Sequence, residues 1–178
     1  MTKSELENCI LQYGTEIYSF CRSITFNVQE ADDLFQDTFL KATELLGEMD
    51  PANNPKSYLL SVAFKLWKNK KRKHAWRNRI AKILPLSDAP ELITPEAFAC
   101  SPEQELLKKE EAALVRRAVS RLPDKYKLPI LLFYMEHLPL SQIAFVLKIP
   151  VGTVKSRLYQ AKKLLEKELE AALDETYG

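Results

Sequence analysis

The first residues of this sequence that could do chemistry are acids. In residues 30–39, EADDLFQDTF, the acids Glu30, Asp33 and Asp37 follow one another at spacings of three and four residues, which place them on one side of a helix. Such carboxylates could hold a divalent cation for phosphodiester chemistry, or they could attract a basic protein partner. A hydrolytic metal site needs a histidine or a further convergent acid, and the only two histidines are distant in the sequence. The pattern therefore favours protein binding, and we expect neither an enzyme nor a metal site.

A second candidate site is the basic run between residues 65 and 82. It holds nine lysines or arginines and no acid, and two tryptophans, Trp67 and Trp76, lie among them. Cations can follow the phosphates of a nucleic acid while aromatic rings stack on unpaired bases, so this mixture suits single-stranded or opened DNA. A solvated basic helix would explain the charges but would leave the two tryptophans unexplained.

The third candidate is IPVGTVKSRLYQAKKLL, residues 149–165, which begins with the poor helix formers Pro150 and Gly152. A proline loses no N–H at a helix start, and a glycine leaves the first-turn N–H groups open to a phosphate. Apolar residues then recur every three or four positions, at Val151, Val154, Leu158, Ala161 and Leu165. The opposite face carries Lys155, Ser156, Tyr159, Gln160 and Lys163. This face suits a polyanion, although the stretch alone is equally compatible with a solvated helix face.

The elements that must position these residues are helices. The chain has 178 residues, only four glycines, and no convincing alternation of polar and apolar residues. The first 84 residues carry three amphipathic patterns, which begin near Ser4, Ala31 and Asn54, and Gly47 is well placed to end the second. The side chain of Asn54 can cap the third helix, and the proline after it suits the first helical position. We therefore predict an all-α protein.

Proline divides the chain. Residues 85–104 contain four prolines and no basic residue, which is typical of a linker. Helical periodicity returns from residue 105, and the short helix SQIAFVL is joined to the third candidate site by three residues, 148–150. Two helices with so short a joint predict a helix-turn-helix. The predicted organisation is two small helical domains, 1–84 and 105–178, joined by a linker at 85–104.

Composition excludes several other classes of protein. No run of eighteen apolar residues exists, and the N-terminus lacks the apolar segment of a signal peptide, so we expect a cytoplasmic location. The three cysteines, Cys9, Cys21 and Cys100, are scattered and show no CxxC spacing. They predict free buried thiols and indicate neither a disulfide framework nor a zinc site.

The three candidate sites, in their order along the chain, resemble segments of the extracytoplasmic-function subgroup of bacterial RNA polymerase sigma factors. The resemblance covers nearly the whole chain. EADDLFQDTFLKA is similar to the segment that docks on the clamp of the largest polymerase subunit. PKSYLLSVAFKLWKNKKRK resembles the helix that melts the promoter and reads its minus-ten element, and LSQIAFVLKIPVGTVKSRLYQAKKLL resembles the helix-turn-helix that reads the minus-thirty-five element. The resemblance implies binding to core RNA polymerase and promoter DNA without a cofactor, and it implies an anti-sigma partner, often membrane-bound.

The resemblance also implies three sets of site residues. The polymerase-binding set is Asp33, Gln36 and Asp37. The minus-ten set is Asn53, Asn54, Lys65, Trp67, Lys68, Lys71, Arg72 and Trp76. The minus-thirty-five set is Thr153, Lys155, Ser156, Arg157, Tyr159, Gln160 and Lys163.

This sequence departs from the family pattern at some of these places. Lys148 stands where the turn commonly has glycine, and Pro139 stands where a capping serine or threonine is usual. Gln160 replaces the arginine of many members, which matters because glutamine pairs with adenine and arginine with guanine. The alternative function is an operator-binding regulator, which would share the helix-turn-helix. It would also need a dimer interface or an effector pocket, and neither is visible in the sequence.

Overall fold

In the described residues, 3–25, 27–45, 54–81 and 102–177, the computed structural model is helical and has no strand, which confirms the all-α prediction. The helices are α1 (Lys3–Ile24), α2 (Val28–Glu44), α3 (Pro55–Ala81), α4 (Pro102–Arg121), α5 (Asp124–Ile130), a short π-helix (Leu131–Met135), α6 (Leu140–Leu147) and α7 (Val151–Tyr177). Residues 85–101 of the predicted linker lie outside the described residues, and residues 102–104 belong to α4.

The described helices pack into two units. The first contains α1, α2 and α3 together with residues 131–151, and the second contains α4, α5 and α7 from Gly152 onwards. This grouping differs at residues 131–151 from the division predicted from the sequence. Polar contacts attach this segment to α3: Nζ of Lys56 pairs with the carboxylate of Glu136 at 3.0 Å, and the Ser57 hydroxyl donates to the side-chain oxygen of Gln142 at 2.7 Å. The boundaries of the two sequence-based domains stay a prediction.

The core of the first unit is built from apolar stripes. α1 buries Leu6, Cys9, Ile17, Phe20, Cys21 and Ile24, and α2 buries Ala31, Leu34, Thr38, Phe39 and Ala42. The hydroxyl of Thr38 donates to the carbonyl of Leu34 at 2.6 Å, so this buried polar group is satisfied. Burial raises the pKa of the Cys21 thiol to about 12. This thiol is therefore protonated and unreactive at neutral pH, as expected of a free buried cysteine.

α3 is half core and half surface. Its start is capped as predicted, because the side chain of Asn54 accepts a hydrogen bond from the Lys56 amide at 2.9 Å. The N-terminal half buries Leu59, Leu60, Val62, Ala63 and Trp67. Beyond Trp67 almost every described side chain is exposed, so the basic run occupies a helix surface.

The second unit has a smaller core. Leu122, Ile130 and Ala161 are buried in it, and Val119, Tyr126, Leu158, Leu164 and Leu165 pack against them. Val154 and Ala161 of α7 are fully buried, which confirms the predicted apolar stripe. Val151, the first member of that stripe, is exposed instead, so burial begins one turn later.

The turn after α6 holds a lysine in an unfavourable backbone conformation. Lys148 has φ 52° and ψ 50°, in the left-handed region, and its amide bonds back to the carbonyl of Phe145 at 3.3 Å. Glycine adopts this conformation without a Cβ clash, so a lysine carries strain here that a glycine would not. Pro139 at the start of α6 makes no side-chain cap, so neither end of this helix has a favourable capping residue.

We expect Lys148→Gly to raise the free energy of unfolding by about 1 kcal/mol, because it removes the left-handed strain. Urea unfolding followed by circular dichroism measures the change. The matched control is Lys155→Gly, the same substitution inside α7, which should lower stability by about 1 kcal/mol. A loss of stability in both variants would show that position 148 gains nothing from glycine.

Candidate functional site: an acidic ridge and two basic helices

The acidic ridge is the surface of α2 formed by Asp33, Gln36 and Asp37. Asp33 and Gln36 are exposed and Asp37 is half-buried, whereas the opposite side of α2 faces the core. One carboxylate oxygen of Asp37 lies 2.8 Å from Nζ of Lys70 on α3. Both of these side chains are nearly half exposed, so the ion pair contributes little to stability. The carboxylates of the ridge therefore remain accessible to a basic partner.

Leu40 extends the ridge by one helical turn and was missed in the sequence. It is 66 % exposed although its neighbours in sequence, Phe39 and Lys41, are buried or half-buried. The sequence does indicate that Leu40 is exposed beside the ridge, since Leu40 falls outside the buried stripe and lies three residues after Asp37. An exposed leucine beside acids adds apolar area to this surface, which suits a protein contact better than a nucleic-acid contact.

The neighbouring Asp32 has a different role. It accepts a hydrogen bond from the hydroxyl of Tyr18 on α1 at 2.7 Å. This bond, assisted by burial and by the negative charge of Asp32, raises the pKa of the Tyr18 hydroxyl. Asp32 thus joins α2 to α1, whereas Asp33 of the ridge is exposed.

The basic half of α3 carries the predicted minus-ten residues. Lys65, Lys68, Lys71 and Arg72 are exposed. Nζ of Lys68 lies 5.8 Å from the centre of the Phe64 ring. These cations form a positively charged helix surface that can follow a phosphate backbone.

The two tryptophans of this helix differ, and the structure corrects the prediction for one of them. Trp67 is only 8 % exposed and belongs to the core, whereas Trp76 is 65 % exposed. Trp67 continues the buried stripe of Leu59 and Ala63 at spacings of four, and Nζ of Lys71 lies 5.0 Å from its ring centre. Only Trp76 therefore presents a free ring for stacking on a base.

The loop before α3 is only partly described. The side-chain oxygen of Asn54 is used by the helix cap, which leaves its amide nitrogen to donate to a base edge. Asn53 lies outside the described residues.

The N-terminal half of α7 presents the third set. Lys155, Ser156, Tyr159, Gln160 and Lys163 are exposed, and Thr153 and Arg157 are half-buried. A Cβ added at Gly152 would meet nothing within 4 Å, so the first turn of α7 is open. Nζ of Lys163 lies 4.7 Å from the centre of the Tyr159 ring, which ties these two side chains together. The open helix start and the polar face fit a phosphate and the base edges beside it.

The described residues lack two further features. They contain no group of three histidines, cysteines or acids that could hold a metal ion. No helix among them combines the length and the apolar character needed to cross a bilayer.

Two regions of one protein family match this chain. Sigma-70 region 2 matches residues 9–77, which include the acidic ridge and most of α3. Sigma-70 region 4 matches residues 112–165, which include α6 and the polar face of α7. Together the two matches cover more than half of the chain.

Similar proteins agree along nearly the whole chain. It is 29 % identical over 161 residues to the ECF RNA polymerase sigma factor SigW of Bacillus subtilis, which covers 88 % of this chain and 84 % of that protein. It is 28 % identical over 175 residues to the RNA polymerase sigma-H factor of Pseudomonas aeruginosa, which covers 97 % of this chain and 90 % of that protein.

Solved structures show the same fold. The sigma factor RpoE from Bartonella quintana, solved in complex with the anti-sigma factor NepR, gives a TM-score of 0.75 at 20 % identity and covers 93 % of this chain and 97 % of its own. CnrH, solved in complex with the cytosolic domain of CnrY, gives a TM-score of 0.67 at 18 % identity and covers 96 % of this chain and 90 % of its own.

These matches define a sigma factor by fold and by the order of its regions. The chain belongs to the sigma-70 family of RNA polymerase sigma factors, in its extracytoplasmic-function subgroup.

Proposed function

We propose that this protein binds core RNA polymerase and directs promoter-specific initiation of transcription, with α3 at the minus-ten element and the α6–α7 helix-turn-helix at the minus-thirty-five element. The observation that carries the proposal is the segregation of charge along the chain. An acidic ridge lies on α2 and two basic helix faces lie on α3 and α7, in the order in which Sigma-70 regions 2 and 4 match.

The acidic ridge is assigned to the polymerase. Asp33 and Asp37 would repel DNA phosphates, whereas they attract a basic protein surface. Exposed Leu40 adds apolar area at the end of the ridge, which suits a protein interface.

The basic half of α3 is assigned to opened DNA at the minus-ten element. Lys65, Lys68 and Arg72 supply cations for the phosphates, and Trp76 supplies an exposed ring for stacking. The open first turn of α7 is assigned to duplex DNA at the minus-thirty-five element, where Thr153 meets a phosphate and Gln160 a base edge.

In this function the protein performs no reaction of its own, because the polymerase supplies the chemistry. It acts in the cytoplasm, with core RNA polymerase, promoter DNA and an anti-sigma factor as partners, and it needs no cofactor. An operator-binding regulator would use the helix-turn-helix but would have no use for the acidic ridge.

The test is reconstituted transcription. The purified chain is added to core RNA polymerase with a pool of promoter fragments, and the transcripts are mapped. We expect transcripts that start at one shared class of promoter and need no effector molecule. A protein that binds one DNA sequence tightly without polymerase, and gives no transcripts with core enzyme, would instead be an operator-binding regulator.

A further inference from the structure

The surface of the first unit has a cleft between α3 and the end of α6. Its volume is about 210 Å³, and residues of α3 form one wall while residues 146–148 form the other. The lining residues are Ser61, Phe64, Lys65, Lys68, Asn69, Arg72, Val146, Leu147 and Lys148. Val146 and Leu147 are buried, which makes the second wall part of the packed core.

Positive charge converges on this cleft. Lys65, Lys68 and Arg72 follow one another at spacings of three and four residues, which place them on one side of α3. Lys148 adds a fourth cation from the opposite wall, and no carboxylate of the described residues lines the space between them. We call this space the cationic cleft. Like charges around one concave surface raise its potential and concentrate anions there.

Another cation of α3 has a different environment. Lys70 does not line the cleft, and its Nζ lies 2.8 Å from a carboxylate oxygen of Asp37. In the cationic cleft, by contrast, Nζ of Lys68 lies 5.8 Å from the centre of the Phe64 ring, which lines the same cleft. The charge of Lys70 is therefore balanced by an acid of the same unit, whereas the lining of the cleft supplies no acid.

The fourth cation stands at a strained position. Lys148 has φ 52°, in the left-handed region that favours glycine. Strained residues of this kind cluster at ligand sites, where the strain persists because the side chain is needed. A glycine would relieve the strain but would remove the cation from the cleft. The lysine at this position is thus a second indication, independent of the charge count, that the cleft holds an anion.

Size and charge select the class of anion. Lys65 and Arg72 are seven residues apart, or about 10 Å along the helix axis, so their side chains can reach both ends of an anion longer than one phosphate group. Lysine holds phosphate as a point charge, and arginine can bond two of its oxygens at once. The cleft is smaller than the pockets of about 300–1,000 Å³ that enclose drug-sized ligands. Two linked phosphate groups fit these conditions.

We propose that the cationic cleft is a binding site for a diphosphate group, either inorganic pyrophosphate or the diphosphate of a nucleotide, and that Lys148 completes this site. Binding of the diphosphate is independent of the proposed function. One consequence rests on that function, since Lys65, Lys68 and Arg72 are also assigned to the minus-ten phosphates. A diphosphate in the cleft would compete with opened DNA for these cations.

The test is calorimetric titration of the free full-length chain with inorganic pyrophosphate, at low salt and without divalent cations. We expect saturable binding of one pyrophosphate per chain. Lys148→Gln should weaken it about tenfold, because it removes one charge-assisted contact. Lys148→Arg keeps the charge and should bind within about threefold of the wild type. Orthophosphate should bind at least about tenfold more weakly than pyrophosphate, because a single phosphate group cannot reach both walls.

Lys70→Gln is the matched control. It makes the same change in net charge on the same helix, but at a cation that is paired with Asp37 outside the cleft. We expect it to change the affinity for pyrophosphate less than about twofold. Equal weakening by Lys70→Gln and Lys148→Gln would reduce the effect to net charge and overturn the site. Orthophosphate binding as tight as that of pyrophosphate, or no saturable binding at all, would also overturn it.

Lys148→Gly keeps the test decisive if Lys148→Gln does not fold. We expect this variant to be more stable than the wild type, so unfolding cannot account for a loss of its affinity. Pyrophosphate at about ten times its Kd should raise the Tm of the wild type by about 3 °C and leave that of Lys148→Gly unchanged. An equal rise in both proteins would show that Lys148 has no part in the site.

Two further titrations identify the source of the diphosphate and separate it from DNA. Binding of ADP more tightly than pyrophosphate would assign the site to a nucleotide, and weaker or equal binding would assign it to free pyrophosphate. Lys148→Gln should change the affinity for a 20-nucleotide single strand less than about twofold, because the basic run supplies most contacts to its phosphates. If the strand loses as much affinity as pyrophosphate, the cleft belongs to the DNA surface and the diphosphate site is wrong. These titrations use neither polymerase nor promoter, so failure of the transcription test would leave their result unchanged.

Discussion

Asp33→Arg is expected to weaken assembly with core RNA polymerase about thirtyfold, which corresponds to roughly 2 kcal/mol. Asp33 is exposed on the acidic ridge, so the reversed charge would face a basic partner surface directly. Asp37→Arg should act in the same direction, but it also breaks the exposed ion pair with Lys70. Titration of labelled protein with core enzyme, followed by fluorescence anisotropy, measures both.

Glu7→Arg is the matched control, since Glu7 is an exposed acid on α1 and not a member of the ridge on α2. It makes the same change in net charge and should leave the affinity for core enzyme within twofold. If both ridge variants bind core enzyme as tightly as the wild type, the ridge is not the polymerase site. If Glu7→Arg weakens binding equally, only net charge matters.

Gln160→Ala is expected to change the preferred base at one minus-thirty-five position and to cost about 1 to 3 kcal/mol on the preferred promoter. The exposed amide of Gln160 can bond a base edge with both its oxygen and its nitrogen. Lys163→Ala should instead weaken all sequences alike and lower the salt slope by about one, because an ammonium at a phosphate reads no base. Transcription from promoter variants and salt-dependent binding separate the two outcomes.

Leu158→Ala is the control for a change that acts through the fold. Leu158 packs against the core of the second unit, so the substitution should destabilise that unit by about 2 kcal/mol without changing which bases are preferred. An unaltered base preference in Gln160→Ala would mean that α7 presents another face to the DNA. Lys163→Ala also removes the contact between Nζ of Lys163 and the Tyr159 ring. If the loss of this contact disturbs Tyr159 at the DNA, transcription from the promoter variants will show a changed base preference.

Features that depend on neighbouring residues were predictable from the sequence. The cap of α3 at Asn54 follows from residue types one or two positions apart, and the stripe of α7 through Val154 and Ala161 follows from helical period. The charge blocks on α2, α3 and α7 were visible for the same reason. Exposed charges are set by position on a helix, and that position depends only on local spacing.

Some outcomes were misread although the local signal existed. Trp67 was assigned to DNA because it lies within a basic run, but its spacing of four from Ala63 places it on the buried side. The end of α5 at Ile130 is not marked by the apolar periodicity of the sequence. A π-helix follows α5, in which the Glu136 amide bonds to the carbonyl of Leu131 at 3.1 Å, five residues back, soon after Pro129 in α5.

The attachment of residues 131–151 to α3 was decided only in the tertiary structure. Lys56 and Glu136 are 80 residues apart, and each is a charged residue that sequence patterns assign to the surface. Their burial is possible because the folded chain supplies each with an opposite charge, and no local period encodes a partner at that distance. The amino-acid sequence therefore determined the helices and the charge each presents, whereas long-range contacts decided which of those charges remain exposed.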